Sequence, residues 1–431
     1  MNRFSGFLFV TILLSLSPFC SFSSAQVEES PLNVDRLVEE ALQNNPEILA
    51  ARAKWEAYKE KVPQASALED PMLGLGIINL PTSFSFRQDD MTMKEISLSQ
   101  KFPFYGKRRL MGEMAGKEAE SVYNEIEEKI NRIIKEVKDA YYELSHIHRT
   151  SDVVQTNKGI LEDFARIAET RYSVGEGIQQ DVLRAHVEVS KMVDELIMLD
   201  QRRKALEAKL IALLNGSSDT PVGKPEEVTF RKLPLSVEEL QKQAVDVNPT
   251  LKAMKKMIEA KEKALELAKR EYYPDFNFRA AYGQRESGPN GPRKDMLTGM
   301  MELNIPIFYK TKQDRKVAET KADVLNWEAQ YRAMKNEILY MVADLTAMTN
   351  QRERQYELYR TGIIPQASLQ VQSAMSAYRV GKVDFLTLLD SQMTLYKYEL
   401  EYHQVITEYE KSLADLETAV GKQFPRKGEG Q

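Results

Sequence analysis

A mainly α-helical fold with a small β part, built as an internal tandem repeat, is what three features of the 431-residue sequence predict. Proline and glycine number only 17 and 20, sparse punctuation that points to few turns and long helices. The segment PLNVDRLVEEALQNNPEI at 31–48 returns as PLSVEELQKQAVDVNPTL at 234–251, with seven identities in 18 positions at an offset of 203. Four short segments between the helical stretches switch to a period of two.

The repeat extends well beyond that window. At the same offset Pro71 pairs with Pro274, Pro103 of KFPFYGK with Pro306 of NIPIFYK, and Lys107 with Lys310. Further on the offset becomes 206, which pairs Tyr172, Val174 and Gly175 of RYSVGEG with Tyr378, Val380 and Gly381 of AYRVGKV. The plan is therefore a leader (1–25), a first repeat (26–214), a linker (215–233, opening with NGSSDTPVGKPEE), a second repeat (234–421) and a flexible tail (422–431).

The leader reads as an export signal. Arg3 precedes the apolar run FLFVTILLSL, and SSA at 23–25 offers small residues for cleavage near Ala25. That run is far below the roughly 20 apolar residues of a spanning helix, and no later segment reaches that length. The single cysteine, Cys20, lies inside the leader, so the mature chain is left without disulfide or thiolate chemistry. Phe19 stands where lipidation signals want a small residue, which argues against an acyl anchor on Cys20.

Each repeat then runs through the same elements. A short helix (near 34–44 or 237–246) meets Asn-Pro, where Asn45 or Asn248 caps and Pro46 or Pro249 opens the next helix. That helix reaches Pro71 or Pro274. Strands follow at about 72–80 and 94–102, and again at about 275–284 and 296–305, with polar loops between them. In the first, Leu73, Leu75 and Ile77 alternate with Gly74 and Gly76; in the third, Phe276, Phe278 and Ala280 alternate with Asn277 and Arg279. Long helices at about 106–172 and 309–378 come next. From Arg108 to Arg171 there are 64 residues without proline, enough for roughly 96 Å of helix. Ile126, Ile130, Ile133, Val137, Ala140, Leu144 and Ile147 keep the alternating steps of four and three that pack helices lengthwise. A glycine turn ends each arm, and helices at 179–214 and 384–420 return.

The strands bear on function. One face is apolar and the other small or polar, over a length that crosses a bilayer when tilted. The same pattern fits two soluble hairpins resting on a helical core. Export and the matched alternation favour the membrane, but four strands do not close a barrel, and an open sheet would expose its edges to lipid. Closure then falls to oligomerisation, and three chains of four strands form the simplest closed ring.

The chain resembles the TolC-like outer-membrane efflux proteins, and within them the branch serving heavy-metal and cation exporters of the resistance-nodulation-division type. The likeness is carried by the two Asn-Pro helix starts, SLSQKFPFYGKRR at 97–109, RYSVGEGIQQDVL at 171–183 and IIPQASLQVQSAMSAYRVGKVDFLTLLDSQMTLY at 363–396, and it covers nearly all of 31–421. It implies a homotrimer in which a twelve-stranded barrel in outer-membrane lipid continues as an α-helical barrel across the periplasm. A periplasmic adaptor and an inner-membrane resistance-nodulation-division pump complete such systems. By position it also implies that Asp390 is an acidic gate residue, that Thr387 stands where better-known members carry a second Asp, and that Asp181 takes the corresponding place after the first tip. A threefold ring of carboxylates repels itself and attracts cations. Tyr172, Val174, Gly175, Tyr378, Val380 and Gly381 resemble adaptor-docking tips; the alternative for the glycines is turn chemistry alone, and for either Asp an ordinary solvated helix position.

Other classes find less support. The net charge is −5, with 59 basic and 64 acidic residues intermixed, so nothing points to nucleic acid. No metal site is expected: His146 and His148, two apart on a helix, do not converge, and of the methionines only MTM at 91–93 lies in a loop. No phosphate loop, HExxH or GxSxG occurs, so an enzyme is not expected, no cofactor is implied, and the duct would be passive. The competing reading is a soluble, elongated periplasmic adaptor or scaffold.

Overall fold

The computed structural model describes residues 31–217, 222–228, 230, 232 and 236–424. The export signal and Cys20 lie outside them. Two copies of one plan follow each other: α1 (Val34–Asn44), α2 (Pro46–Ser66), β1 (Met72–Ile78), β2 (Met93–Phe102), α3 (Lys107–Ser173) and α4 (Gln179–Leu214), then α5 (Val237–Val247), α6 (Pro249–Arg270), β3 (Phe276–Gln284), β4 (Met296–Leu303), α7 (Gln313–Leu358), α8 (Ile364–Arg379) and α9 (Phe385–Val420).

The Asn-Pro junctions show why the repeat persists. The Asn45 side chain accepts from the Glu47 N–H at 2.9 Å and donates to the Leu213 carbonyl at 2.8 Å. Asn248 does the same with the Leu251 N–H (3.2 Å) and the Ala419 carbonyl (2.9 Å). Each buried amide thus caps one helix and satisfies a free carbonyl in the last turn of the returning helix. Around these joints sit two apolar clusters, one per repeat, with Ile48, Ile133, Val137 and Leu210 in the first and Leu240, Leu251, Val342 and Leu416 in the second. A third cluster joins the far ends of the two hairpins through Leu161, Phe164, Met192, Phe385 and Leu388.

All four strands form one antiparallel sheet in the order β1-β2-β3-β4. The central pairing, with Leu98 opposite Ala280, joins the two repeats. Both outer edges lack a partner strand among the described residues. The linker folds back on the first repeat, the Leu32 N–H donating to the Lys224 carbonyl at 2.9 Å and the Glu226 N–H to the Leu32 carbonyl at 3.1 Å.

Two expectations are corrected. The helix expected over 309–378 is interrupted by a π turn at Tyr359–Ile363, which ends two residues before Pro365, a residue with no N–H to continue the α pattern. The segment expected to be a tail from 422 begins packed: the Phe424 N–H donates to Glu417 at 3.0 Å and its ring lies against the second repeat's cluster.

Candidate functional site

The two hairpin tips share one backbone turn. After α3, Gly175 takes φ +81° and its N–H donates to the Tyr172 carbonyl at 3.1 Å, while the Glu176 N–H reaches the Arg171 carbonyl at 2.8 Å. After α8, Gly381 takes φ +72°, donating to the Tyr378 carbonyl at 3.0 Å, and the Lys382 N–H reaches the Ala377 carbonyl at 2.9 Å. This left-handed exit satisfies helix-end carbonyls and strains any residue other than glycine. Val174 and Val380 stand at the two apices, 65% and 67% exposed.

Beyond that turn the tips part company. Tyr172 is 49% exposed, whereas Tyr378 is 4% exposed, its ring edge-on to Phe385 with centroids 5.8 Å apart. The Tyr378 side chain, expected at a docking tip, packs between α8 and α9. Arg171 closes over it: its guanidinium lies 4.8 Å from the ring centroid and donates to the Tyr378 carbonyl at 2.7 Å and the Glu176 carbonyl at 3.5 Å. One arginine from the first tip clasps both turns.

The acidic residues sit in unlike surroundings at the two tips. Asp181 and Thr387 are equivalent, each the third residue of its helix, and the counterpart of Asp390 is Arg184. α9 opens on Asp384, whose carboxylate accepts from the Thr387 N–H at 2.9 Å and hydroxyl at 2.6 Å. Thr387 thus serves the helix cap. Burial pushes the Asp181 carboxyl up; Asp384 adds to this, and Arg184 and Arg171 oppose it. The Asp384 carboxyl is held down, first by the Thr387 hydroxyl. Asp390 is exposed and forms no ion pair among the described residues. The acid that shares its field with Asp181 is therefore Asp384.

At the other end of the molecule the sheet has two unlike faces. Leu73 opposes Leu98, Leu75 opposes Ile96, Ile96 opposes Tyr282, and Tyr282 opposes Leu297, all of them exposed. On the opposite face Arg279 donates to Glu95 and to the Ser97 hydroxyl (3.3 Å), and Asn277 to Glu302 (2.7 Å). No helix among the described residues is long and apolar enough to cross a membrane. Where sheet meets helix, the buried Lys107 ammonium donates to Asp275 at 2.7 Å and to the Tyr273 carbonyl at 2.9 Å.

A family model described as outer membrane efflux protein matches residues 37–216 and 240–422, one match for each repeat. The chain belongs to this family. Its place is the outer membrane and its class is transport. Solved structures agree on the fold. VceC, an outer membrane protein of Vibrio cholerae, superposes with a TM-score of 0.77 at 19% identity, over 91% of this chain and 97% of that one. CusC gives 0.76 at 16%, over 90% and 92%. The open state of the MtrE outer membrane channel of Neisseria gonorrhoeae gives 0.71 at 17%, over 90% and 89%. No curated protein sequence matches the chain.

In this efflux protein the side candidates separate. Among the described residues no three His, Cys, Asp or Glu side chains converge as a metal site. Met91 is exposed while Met93 is buried over Gly283, so MTM does not form one face. Two tip residues went unread in the sequence although both left a trace. Arg171 lies inside RYSVGEG, where the second copy has Ala377, and Asp384 precedes Thr387 by the three positions of a helix cap.

Proposed function

We propose that the protein is the passive outer-membrane duct of a tripartite efflux system, working as a homotrimer with a periplasmic adaptor and an inner-membrane resistance-nodulation-division pump. One observation carries this reading: a four-stranded sheet with an apolar face, a polar face and two unpaired edges. Lipid does not tolerate open edges, and a ring of three such sheets removes them by pairing each β4 with the next β1. The polar face, with Glu95, Arg279 and Glu302, then lines a water-filled barrel, and the long hairpins continue it as a tunnel.

The tips are the periplasmic mouth in this reading. Tyr172, Val174 and Val380, with Gly175 and Gly381 shaping the turns, offer the exposed apolar surface for the adaptor. Asp181 and Asp390 supply the acidic gate, with Thr387 as the cap partner of Asp384 and not a gate group. The cargo in this reading is small solutes, with metal cations among them on the likeness carried by the motifs at 97–109, 171–183 and 363–396.

Mild-detergent gels with planar-bilayer recording test the assembly. The expected outcome is a trimer band that heat collapses to a monomer, together with cation-selective channels. Recovery of a heat-insensitive monomer in the soluble periplasm would overturn it.

A further inference from the structure

The linker that joins the two repeats crosses a cluster of histidines. The chain has four histidines, and three of them, His146 and His148 on α3 and His403 on α9, lie beside linker groups. The fourth, His186, sits near the first tip, 2.9 Å from Glu169. Beneath the linker is a cavity of about 280 Å³ lined by His146, Arg149, Glu227, Phe230, Tyr356 and His403. Glu227 and Phe230 form its outer wall, and α3, α7 and α9 form its floor.

Several contacts hold the linker over that floor. Lys224 reaches Asp152 at 3.1 Å, Arg149 donates to Glu227 at 2.6 Å, and Lys232 to Glu353 at 2.5 Å. Phe230 stacks on Tyr356 with centroids 4.0 Å apart and lies 4.3 Å from Tyr409, which is fully buried. These contacts tie α3 to α7 and α9. They are also the easiest to undo: Glu227 is 73% exposed, exposed ion pairs hold weakly, and no helix or strand runs through 222–228.

The floor has no place for added positive charge. His146 Nε2 is 3.5 Å from the Thr150 hydroxyl, while its Nδ1 is buried with no hydrogen-bond partner among the described residues. The charged groups facing His146 are Glu143, Arg202, Glu408 and Lys411; those facing His148 are Lys224, Arg203, Glu207 and Asp152; those facing His403 are Arg149, Glu227 and Asp152, with His146 beside it. Every carboxylate in this set already holds a cation. Glu143 takes Arg202 and Lys411, Glu408 takes Arg352, Glu207 takes Arg203, Asp152 takes Lys224 and Glu227 takes Arg149. A proton on any of the three rings therefore adds a charge with no free carboxylate to receive it, and on His146 Nδ1 it adds a buried N–H without an acceptor.

Burial is the first cause that lowers all three histidines from their ordinary value of 6.5, with Lys224 and Arg203 adding to it at His148 and Arg149 at His403. A lowered histidine favours the packed form fully above 6.5, and that support is lost as pH falls from there towards the lowered value. We propose that the linker is an acid-released strap: protonation of His146, His148 and His403 lifts Lys224, Glu227, Phe230 and Lys232 off α3, α7 and α9 and opens the cavity beneath. The inference uses contacts within one chain and stands apart from the duct reading.

Hydrogen exchange on the full-length protein in mild detergent tests it, with rates corrected for the intrinsic pH dependence of exchange. The Glu226 amide, bonded to the Leu32 carbonyl at 3.1 Å, is the reporter. Amides of 224–228 should lose at least about tenfold in protection between about pH 7.5 and 5.5, while those of 133–147 in α3 keep theirs. Unchanged protection at 224–228, or a loss that begins only near the ordinary carboxylate range at about 4, overturns the strap. In the combined variant His146→Gln, His148→Gln and His403→Gln, protection at the two pH values should agree within about twofold, and an acid loss that persists there overturns the proposal. His148→Gln alone changes the least buried of the three and keeps the question answerable should the combined variant not fold. It should shrink the acid loss at least about threefold, and an undiminished loss overturns the three-histidine trigger.

Discussion

The Asn-Pro joints and the hairpin tips hold the same duplicated sequence to different standards. At the joints the two copies are interchangeable: Asn45 and Asn248 make the same pair of bonds, to 2.8 and 2.9 Å carbonyl contacts in the returning helices. At the tips the backbone turn is kept but the side chains diverge, Arg171 against Ala377, Ile178 against Asp384, Asp181 against Thr387 and Arg184 against Asp390. Each joint solves a problem inside its own repeat, so one solution serves twice. The tips face each other, and two surfaces that meet face to face are complementary, not identical.

Lys107 and Lys310 give the sharpest test of that distinction, because the sequence pairs them and the structure does not. Lys107 is 5% exposed and bonded to Asp275 between the repeats, whereas Lys310 is exposed. Lys107→Met leaves the Asp275 carboxylate half-enclosed with only the Phe104 N–H donating to it, at a cost of about 3 kcal/mol. Lys310→Met should stay within about 0.5 kcal/mol. The temperature at which the trimer band dissociates reads both, and equal losses would mean that the junction, too, is symmetric.

Asn45→Ala and Asn248→Ala form the converse pair. Each removes a cap and leaves a returning carbonyl without its donor, so each costs about 2 kcal/mol. The two should lower the same dissociation temperature by similar amounts. A large difference between them would show that the repeats are not equivalent even where their bonds coincide.

Fold class was legible because it rests on periodicity. The steps of four and three through Ile126–Ile147 and the alternation through Leu73–Ile77 survive any environment, since they record which face is apolar. The tip was less legible because its groups act across the chain. Tyr172 and Tyr378 are equivalent in the repeat, yet one is half exposed and the other buried under Arg171, a difference set by a neighbour about 200 residues away. Pro365 and Gly362 were visible, but a proline inside a helical run fits a kink, a stop or a π turn alike.

Asp181 carries the smallest expected effect and the most specific one. Burial raises its carboxyl above the ordinary value of 3.8, so the packed tip favours the protonated form. The stabilisation this gives is complete below that ordinary value and is lost as pH rises through the raised one; at neutral pH the ionised carboxylate is held at a cost. The tip should therefore be tightest in acid. Asp181→Asn keeps the shape, removes the charge and should make closed-state leak current flat across the acid range, while Asp390→Asn changes cation block and leaves the acid response in place. Should the acid response persist in Asp181→Asn, the field shared by Asp181, Asp384, Arg171 and Arg184 is not what tightens the mouth. If it vanishes, the asymmetry between the tips has a measurable electrostatic consequence, because Thr387, the equivalent of Asp181, is engaged in the Asp384 cap and has no charge to give up.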